Sequence, residues 1–286
     1  MIFYAWGDQE FLGVGSKLFV TLFHAVSAFA NAGFSVLEDN LYTVQRAFVL
    51  HLVVLVTYGL GGLGIDTVYD LFAPPRLRQR LVHPETDWRW HTKVAVNASI
   101  LLVGGGALLF YVLEQHNTLS ELNLTEKLIA SGFQAATART AGFYTVDITQ
   151  LTEATLWLLI VLMFIGGGAG SAAGGVKITT FYHLFARKIG GTPKSRGGLP
   201  LIARWVVGYA LLVTVVGTLG LWTTNPDHSI ISLLFEQLSA FSSVGLSYAV
   251  TSTLSPSGQG IILASMLLGR IGLLALVMVL REKQVV

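Results

Sequence analysis

Five long apolar stretches dominate the hydropathy pattern of the chain. They cover approximately residues 47–70, 94–113, 151–184, 202–223 and 259–280, and only the third is interrupted, by a glycine-rich segment. A helix needs about 20 predominantly apolar residues to cross the hydrocarbon core of a bilayer. The pattern therefore predicts an all-α polytopic membrane protein with about five spans, of which all but the third are continuous helices.

Three further apolar segments, at about residues 18–34, 126–143 and 230–246, are too short to cross. Each immediately precedes a span, so each is a candidate for a re-entrant pore loop, with an interfacial helix as the alternative. Their sequences repeat: residues 23–35 match residues 235–247 without a gap, and residues 133–143 fit with one residue fewer. This register favours three re-entrant loops within tandem units of helix, pore helix and helix.

Composition supports a membrane location. The 286 residues are 53% hydrophobic and 12% charged, with a mean hydropathy of +0.64, whereas about a quarter of the residues in soluble proteins are charged. A soluble enzyme and a nucleic-acid-binding protein are thereby excluded. The absence of cysteine also removes disulfides and thiolate metal sites.

The distribution of charge predicts the orientation of the spans. Loops after the first and third spans are rich in Lys and Arg, whereas acidic residues predominate on the opposite side. By the positive-inside rule, both basic loops and the C-terminus, which carries Arg281 and Lys283, are expected to be cytoplasmic. The start of the chain, residues 1–8, has no basic region and does not resemble a signal peptide.

Each short segment ends in a triplet of small residues that closes with glycine. The filter triplets, as we call them, are Asn31-Ala32-Gly33, Thr140-Ala141-Gly142 and Ser243-Val244-Gly245. Glycine accepts backbone angles closed to other residues, and rings of inward-pointing carbonyl groups can replace the water shell of a cation. The triplets therefore predict a selectivity filter, with a simple tight turn as the alternative for any one of them.

At these residues the chain resembles the Trk/Ktr/HKT superfamily of potassium transporters. Residues 27–35, 137–143 and 239–247 are similar to the second, third and fourth filter segments of that family. The resemblance implies tandem repeats around a central ion pathway: a partial repeat over residues 1–72 and complete repeats over residues 73–185 and 186–286. The family's first repeat and most of the inward helix of its second have no counterpart, so we expect a fragment of a four-repeat transporter.

A glycine-rich segment interrupts the third span at residues 165–177. Each glycine in a helix interior costs about 1 kcal/mol relative to alanine, so we expect this segment to be unwound; close helix packing through small residues is the alternative. The spacing of Gly175 and Lys177 excludes a phosphate-binding loop. The resemblance implies an intramembrane gate, formed by Gly166, Gly167, Gly168, Gly170, Gly174, Gly175 and Lys177.

Arg270, Arg139 and Glu236 are charged residues within the predicted membrane segments. Arg270 is near the middle of the last span, where a charge costs about 2.5–3.5 kcal/mol and needs a polar cavity or a partner. The resemblance implies that it projects into the pathway beneath the filter and belongs to the gate, with a structural ion pair as the alternative. Arg139 and Glu236 are expected to brace the filter from behind. The histidines lack metal-ligand spacing, so no metal other than the transported cation is expected.

The patterns predict a cation pathway through a carbonyl-lined filter, and the resemblance implies potassium uptake, with Na⁺ as an alternative or coupled ion. The resemblance implies a multi-pass protein of the plasma or inner membrane, a homodimer of pore subunits, and a cytosolic ring of nucleotide-binding subunits of the RCK/KTN type. We expect no cofactor bound by this chain and no nucleic-acid partner. The alternatives are a non-conducting truncated remnant and an intramembrane enzyme, for which the sequence offers no catalytic motif.

Overall fold

A computed structural model gives the architecture of the chain and describes residues 6, 13–37, 39–83, 88–189, 199–272 and 277. Within them, the only strand-like pairing is an isolated bridge between Ile165 and Val176. The α-helices are α1 (Val14–Phe29), α2 (Phe48–Leu63), α3 (Ile65–Phe72), α4 (Pro74–Val82), α5 (Trp90–Glu114), α6 (Leu124–Thr137), α7 (Glu153–Phe164), α8 (Ile178–Ile189), α9 (Leu199–Thr224), α10 (Ile230–Phe241) and α11 (Pro256–Leu267). The predicted all-α fold is confirmed.

Two helices in the described part of the chain are long and apolar enough to cross a membrane unaided. They are Trp90–Glu114 and Pro200–Thr224, each of 25 residues. At a rise of 1.5 Å per residue, each is about 37 Å long, which exceeds a hydrocarbon core of about 30 Å. In length and composition they confirm the spans predicted at residues 94–113 and 202–223.

The first predicted span, residues 47–70, is bent rather than continuous. α2 and α3 meet at an angle of 109°, and Gly64 between them has φ of 90°. A Cβ atom at Gly64 would overlap with the carbonyl oxygen of Ala169, so both the turn and the close contact require glycine. The prediction of a continuous helix here is wrong. An apolar sequence indicates which residues lie in an apolar environment, but it does not indicate where the helix axis changes direction.

The other two predicted spans are also composite. α7 and α8 are separated by the irregular segment at residues 165–177, which confirms the predicted interruption. α11 continues into a π-helical turn, Leu268–Gly272. Residues 273–276 and 278–280 of the fifth span lie outside the described residues, as do the start of the chain apart from Trp6 and the predicted cytoplasmic residues Arg281 and Lys283.

The three predicted pore helices are α1, α6 and α10. They contain 16, 14 and 12 residues, too few to cross the membrane alone. α6 begins with a capping box between Asn123 and Glu126, and Ser229 caps α10. Gln134 and Gln237, polar residues in the C-terminal halves of α6 and α10, are fully buried. An interfacial helix would turn such residues to water, so their burial favours the re-entrant arrangement.

A buried carboxylate fixes the C-terminal end of the bent span. The Oδ1 atom of Asp70 accepts a hydrogen bond from Arg80 at 3.2 Å, and its Oδ2 atom accepts one from the backbone N–H of Arg89 at 2.9 Å. The Asp70 side chain is 1% exposed. It therefore ties α3 to the basic loop that leads into α5.

Candidate ion pathway

The three filter triplets share one backbone conformation. Their first residues have positive φ, 51° at Asn31, 77° at Thr140 and 52° at Ser243. Their closing glycines also have positive φ: 70° at Gly33, 75° at Gly142 and 95° at Gly245. Residues with side chains rarely adopt such angles, so the recurrence of the pattern at all three predicted positions identifies one structural device used three times.

The closing glycines converge on a common point. A Cβ atom built on Gly142 would lie 3.0 Å from the Cα of Gly33 and 3.2 Å from the Cα of Gly245, and it would overlap with the carbonyl oxygen of Val244. One built on Gly33 would lie 2.6 Å from the carbonyl oxygen of Ala141. The structure therefore brings all three triplets together, with main-chain oxygens of the middle residues between the loops.

Each triplet lies at the C-terminal end of a short helix. α1 ends at Phe29, α6 at Thr137 and α10 at Phe241, in each case shortly before the triplet begins. The aligned peptide dipoles of a helix give its C-terminus a partial negative charge of about half an elementary charge. Three such ends around one centre, together with carbonyl oxygens, form an electrostatic environment that favours a cation.

Asn40 links two of the triplets and was missed by the sequence analysis. Its Nδ2 atom donates long hydrogen bonds to the carbonyl oxygens of Gly33 (3.4 Å) and Gly142 (3.5 Å), and its Oδ1 atom accepts from the backbone N–H of Tyr144 at 3.4 Å. Asn40 has φ of 55° and is 9% exposed. An asparagine in a loop indicates a turn, but nothing in the local sequence indicates contact with a residue 102 positions away.

Equivalent residues of α1 and α10 support the segments that follow the triplets. Glu236 accepts hydrogen bonds from the hydroxyl of Ser247 at 2.6 Å and from the backbone N–H of Tyr248 at 2.8 Å. At the matching positions of the first repeat, the Nε2 atom of His24 lies 2.9 Å from the hydroxyl of Ser35. The expected bracing role of Glu236 agrees with its contacts. His24 corresponds to Glu236 in the repeat and contacts the equivalent serine.

The glycine-rich segment forms a compact loop that packs directly against the third triplet. The backbone N–H of Gly166 donates to the carbonyl oxygen of Val176 at 3.0 Å, and that of Gly168 donates to the carbonyl oxygen of Gly62, near the end of α2, at 2.8 Å. A Cβ atom on Gly174 would overlap with the carbonyl oxygen of Ser242. The unwound backbone is thus hydrogen-bonded to protein, which is the condition for irregular structure at membrane depth.

Three cationic side chains bind carbonyl oxygens of this loop. Arg270 Nη1 donates to Ala172 at 2.6 Å, and Arg139 Nη2 donates to Gly166 at 3.1 Å. Lys177 donates to the Ser171 hydroxyl at 3.1 Å and to the carbonyl oxygen of Ala173. Within the described residues, no carboxylate lies within 4.0 Å of any of the three cations. Arg270 therefore has a backbone partner and not an ion pair there, and Arg139 supports the loop below the filter.

Comparison with known proteins identifies the family. The sequence model of the TrkH family, described as a cation transport protein, matches residues 8–196 and 201–285. The chain belongs to the TrkH family. It is 34% identical over 278 residues to the Ktr system potassium uptake protein B of Bacillus subtilis, covering 93% of this chain and 60% of the relative. It is also 34% identical to the potassium/sodium uptake protein NtpJ of Enterococcus hirae, covering 95% of this chain and 61% of that relative.

Solved structures support the TrkH-family fold. The crystal structure of the potassium transporter TrkH from Vibrio parahaemolyticus superimposes with a TM-score of 0.73 at 21% identity, covering 97% of this chain and 60% of that one. The likeness shows the fold. The chain spans about three-fifths of the length of the relatives and the structure it matches. Because the TrkH family model matches most of the chain, the resemblance inferred from the filter triplets is confirmed.

The TrkH-family chain thus carries two layers of candidate site residues. The nine residues of the filter triplets form the outer layer and meet at one centre. The inner layer is the loop at residues 165–177 with its cationic partners Lys177 and Arg270. Gly166, Gly167, Gly168 and Gly174 make close contacts that a side chain would obstruct, whereas Gly170 and Gly175 supply positive φ.

Proposed function

We propose that this protein takes up K⁺ across the cell membrane through the filter triplets, with Na⁺ as a second or coupled ion. The observation that carries the proposal is the convergence of three positive-φ triplets on one centre. Carbonyl oxygens there replace the water shell of a monovalent cation. The names of the relatives, which describe potassium and potassium/sodium uptake proteins, support the choice of ion.

The proposal also includes a driving force and a gate. A membrane potential contributes about 2.3 kcal/mol per elementary charge per 100 mV, which drives cation entry without chemical energy from this chain. The loop at residues 165–177 is the gate in this proposal. Arg270 and Lys177 hold the loop below the filter, and their positive charge raises the barrier that an entering cation meets.

The proposed organisation is a partial repeat over residues 1–72 followed by complete repeats over residues 73–185 and 186–286. The basic loops and the C-terminus face the cytoplasm. Two pore subunits associate, and a cytosolic nucleotide-binding ring docks on the basic side, where α4 carries Arg76, Arg78 and Arg80. The name of the Bacillus relative, a protein of a Ktr system, supports the existence of such partners.

Growth of cells that lack potassium uptake tests the proposal. Expression of the chain should restore growth at low K⁺, and Gly142→Ala should abolish it, because the added Cβ would overlap with the carbonyl oxygen of Val244. The matched control is Gly132→Ala on α6, whose Cβ would have no atom within 4 Å. Equal growth of both variants would contradict the filter assignment. Failure of the unmodified chain, with normal membrane insertion, would support the non-conducting alternative.

A further inference from the structure

An apolar cavity lies between α2, α5 and α6, beside the filter triplets. Its volume is about 570 Å³, within the range of about 300–1,000 Å³ found for small-molecule sites. Tyr58 and Gly59 of α2 line one wall, and Ile100 and Gly104 of α5 line another. Ile100 is 67% exposed, so the cavity opens at the surface of the described helices.

A buried cation forms part of the cavity wall. Arg139 lines the cavity and is only 8% exposed. Among the described residues, its guanidinium donates a hydrogen bond to the carbonyl oxygen of Gly166, its Nε atom has no partner, and no carboxylate lies within 4.0 Å of it. A buried charge without a counter-charge is costly. The site therefore combines an apolar volume with a buried positive charge that an anion would stabilise.

We propose that the cavity binds a single-chain anionic amphiphile of the fatty-acid class. The acyl chain lies along the apolar walls, and the carboxylate pairs with the Arg139 guanidinium, whose planar fork matches a carboxylate. One chain fits because the cavity has the size of a small-molecule site and its polar lining is confined to a few residues, among them Arg139 and Asn31.

The position of the cavity links its occupant to the proposed gate. Gly62 and Gly167 also line it, and Arg139 holds the carbonyl oxygen of Gly166 in the same loop. A carboxylate on Arg139 shares the guanidinium with that carbonyl. Occupancy of the cavity therefore acts on the loop below the filter triplets, whichever cation the filter conducts.

Equilibrium binding of tritiated palmitate to the purified full chain, measured by scintillation proximity, tests this site. Gly104→Leu places a side chain in the cavity and should abolish saturable binding. Gly105→Leu is the matched control, because both glycines lie on α5 and have no atom within 4 Å of an added Cβ, whereas only Gly104 lines the cavity. Equal palmitate binding by the two leucine variants, or no saturable binding to the unmodified chain, would overturn the proposal.

A second pair of measurements tests the charge and the single chain. Arg139→Gln should weaken palmitate binding about tenfold or more. The dissociation constant for uncharged hexadecanol, measured by competition, should stay unchanged. Phosphatidylglycerol, an anionic lipid with two chains, should displace palmitate less well than palmitate itself. Palmitate affinity unaffected by Arg139→Gln, or stronger displacement by phosphatidylglycerol, would overturn the assignment. If Arg139→Gln does not fold, the Gly104 variant, which leaves the guanidinium intact, still decides.

Discussion

If the filter triplets conduct K⁺ as proposed, Asn40→Asp should weaken the discrimination between K⁺ and Na⁺. The amide of Asn40 donates to the carbonyl oxygens of Gly33 and Gly142, one in each of two filter triplets. An ionised aspartate has the same shape but no donor, so both carbonyl groups would lose their partner and face a negatively charged oxygen. Asp also tolerates the left-handed conformation that φ of 55° requires, so the substitution changes the hydrogen bonds and leaves the backbone unstrained.

The expected magnitude follows from the geometry of these bonds. Intramolecular hydrogen bonds contribute about 0.5–1.5 kcal/mol each, and bonds of 3.4 and 3.5 Å are long, which places each at the lower end. Loss of both amounts to about 1 kcal/mol, before any repulsion by the carboxylate. If this energy holds the two triplets at the separation that suits K⁺, the K⁺/Na⁺ ratio of initial uptake rates should fall about fivefold.

Initial rates of K⁺ and Na⁺ uptake into proteoliposomes would measure the effect. Asn123→Asp serves as the control, because Asn123 caps α6 and aspartate caps a helix equally well. Asn40→Gly, which keeps the backbone conformation accessible and removes the side chain, should reproduce the loss of selectivity in smaller degree. An unchanged K⁺/Na⁺ ratio in Asn40→Asp would refute the view that this side chain sets the spacing of the triplets.

Three further variants test other parts of the site. Gly64→Ala should lower the melting temperature, because the added Cβ would overlap with a carbonyl oxygen and φ at this position is positive. Gly59→Ala, whose Cβ meets no atom within 4 Å, should not. Equal melting temperatures of the two variants would refute the need for glycine at the bend. Glu236→Gln should cost about 2 kcal/mol of stability, because its carboxylate accepts hydrogen bonds from four groups, and Glu121→Gln, an exposed change, should be neutral in the same denaturation assay. Arg270→Ala should increase flux or relax selectivity by freeing the loop at residues 165–177, the proposed gate, and unchanged K⁺ and Na⁺ uptake kinetics would contradict this.

The elements predictable from sequence are those whose cause is local. Two uninterrupted apolar runs predicted the membrane-spanning helices α5 and α9, and repeated short segments predicted α1, α6 and α10. The unwound segment at residues 165–177 followed from the helix cost of its glycines. The bend at Gly64 did not, because its partner is the carbonyl oxygen of Ala169, more than a hundred positions away. A contact so distant along the chain leaves no mark in the local hydropathy pattern.

Within the candidate site, the backbone conformation was predictable from sequence, whereas the long-range contacts of side chains were not. The triplets were predictable because glycine and small residues determine which backbone angles are open. The long-range contacts of Asn40 and Arg139 were not, because their acceptors are carbonyl groups, which every residue carries and no sequence pattern marks. Unwinding the loop at residues 165–177 frees carbonyl oxygens, and these are costly within a membrane unless bonded. Cationic side chains bind several of them, and within the described residues no carboxylate lies within 4.0 Å of those cations.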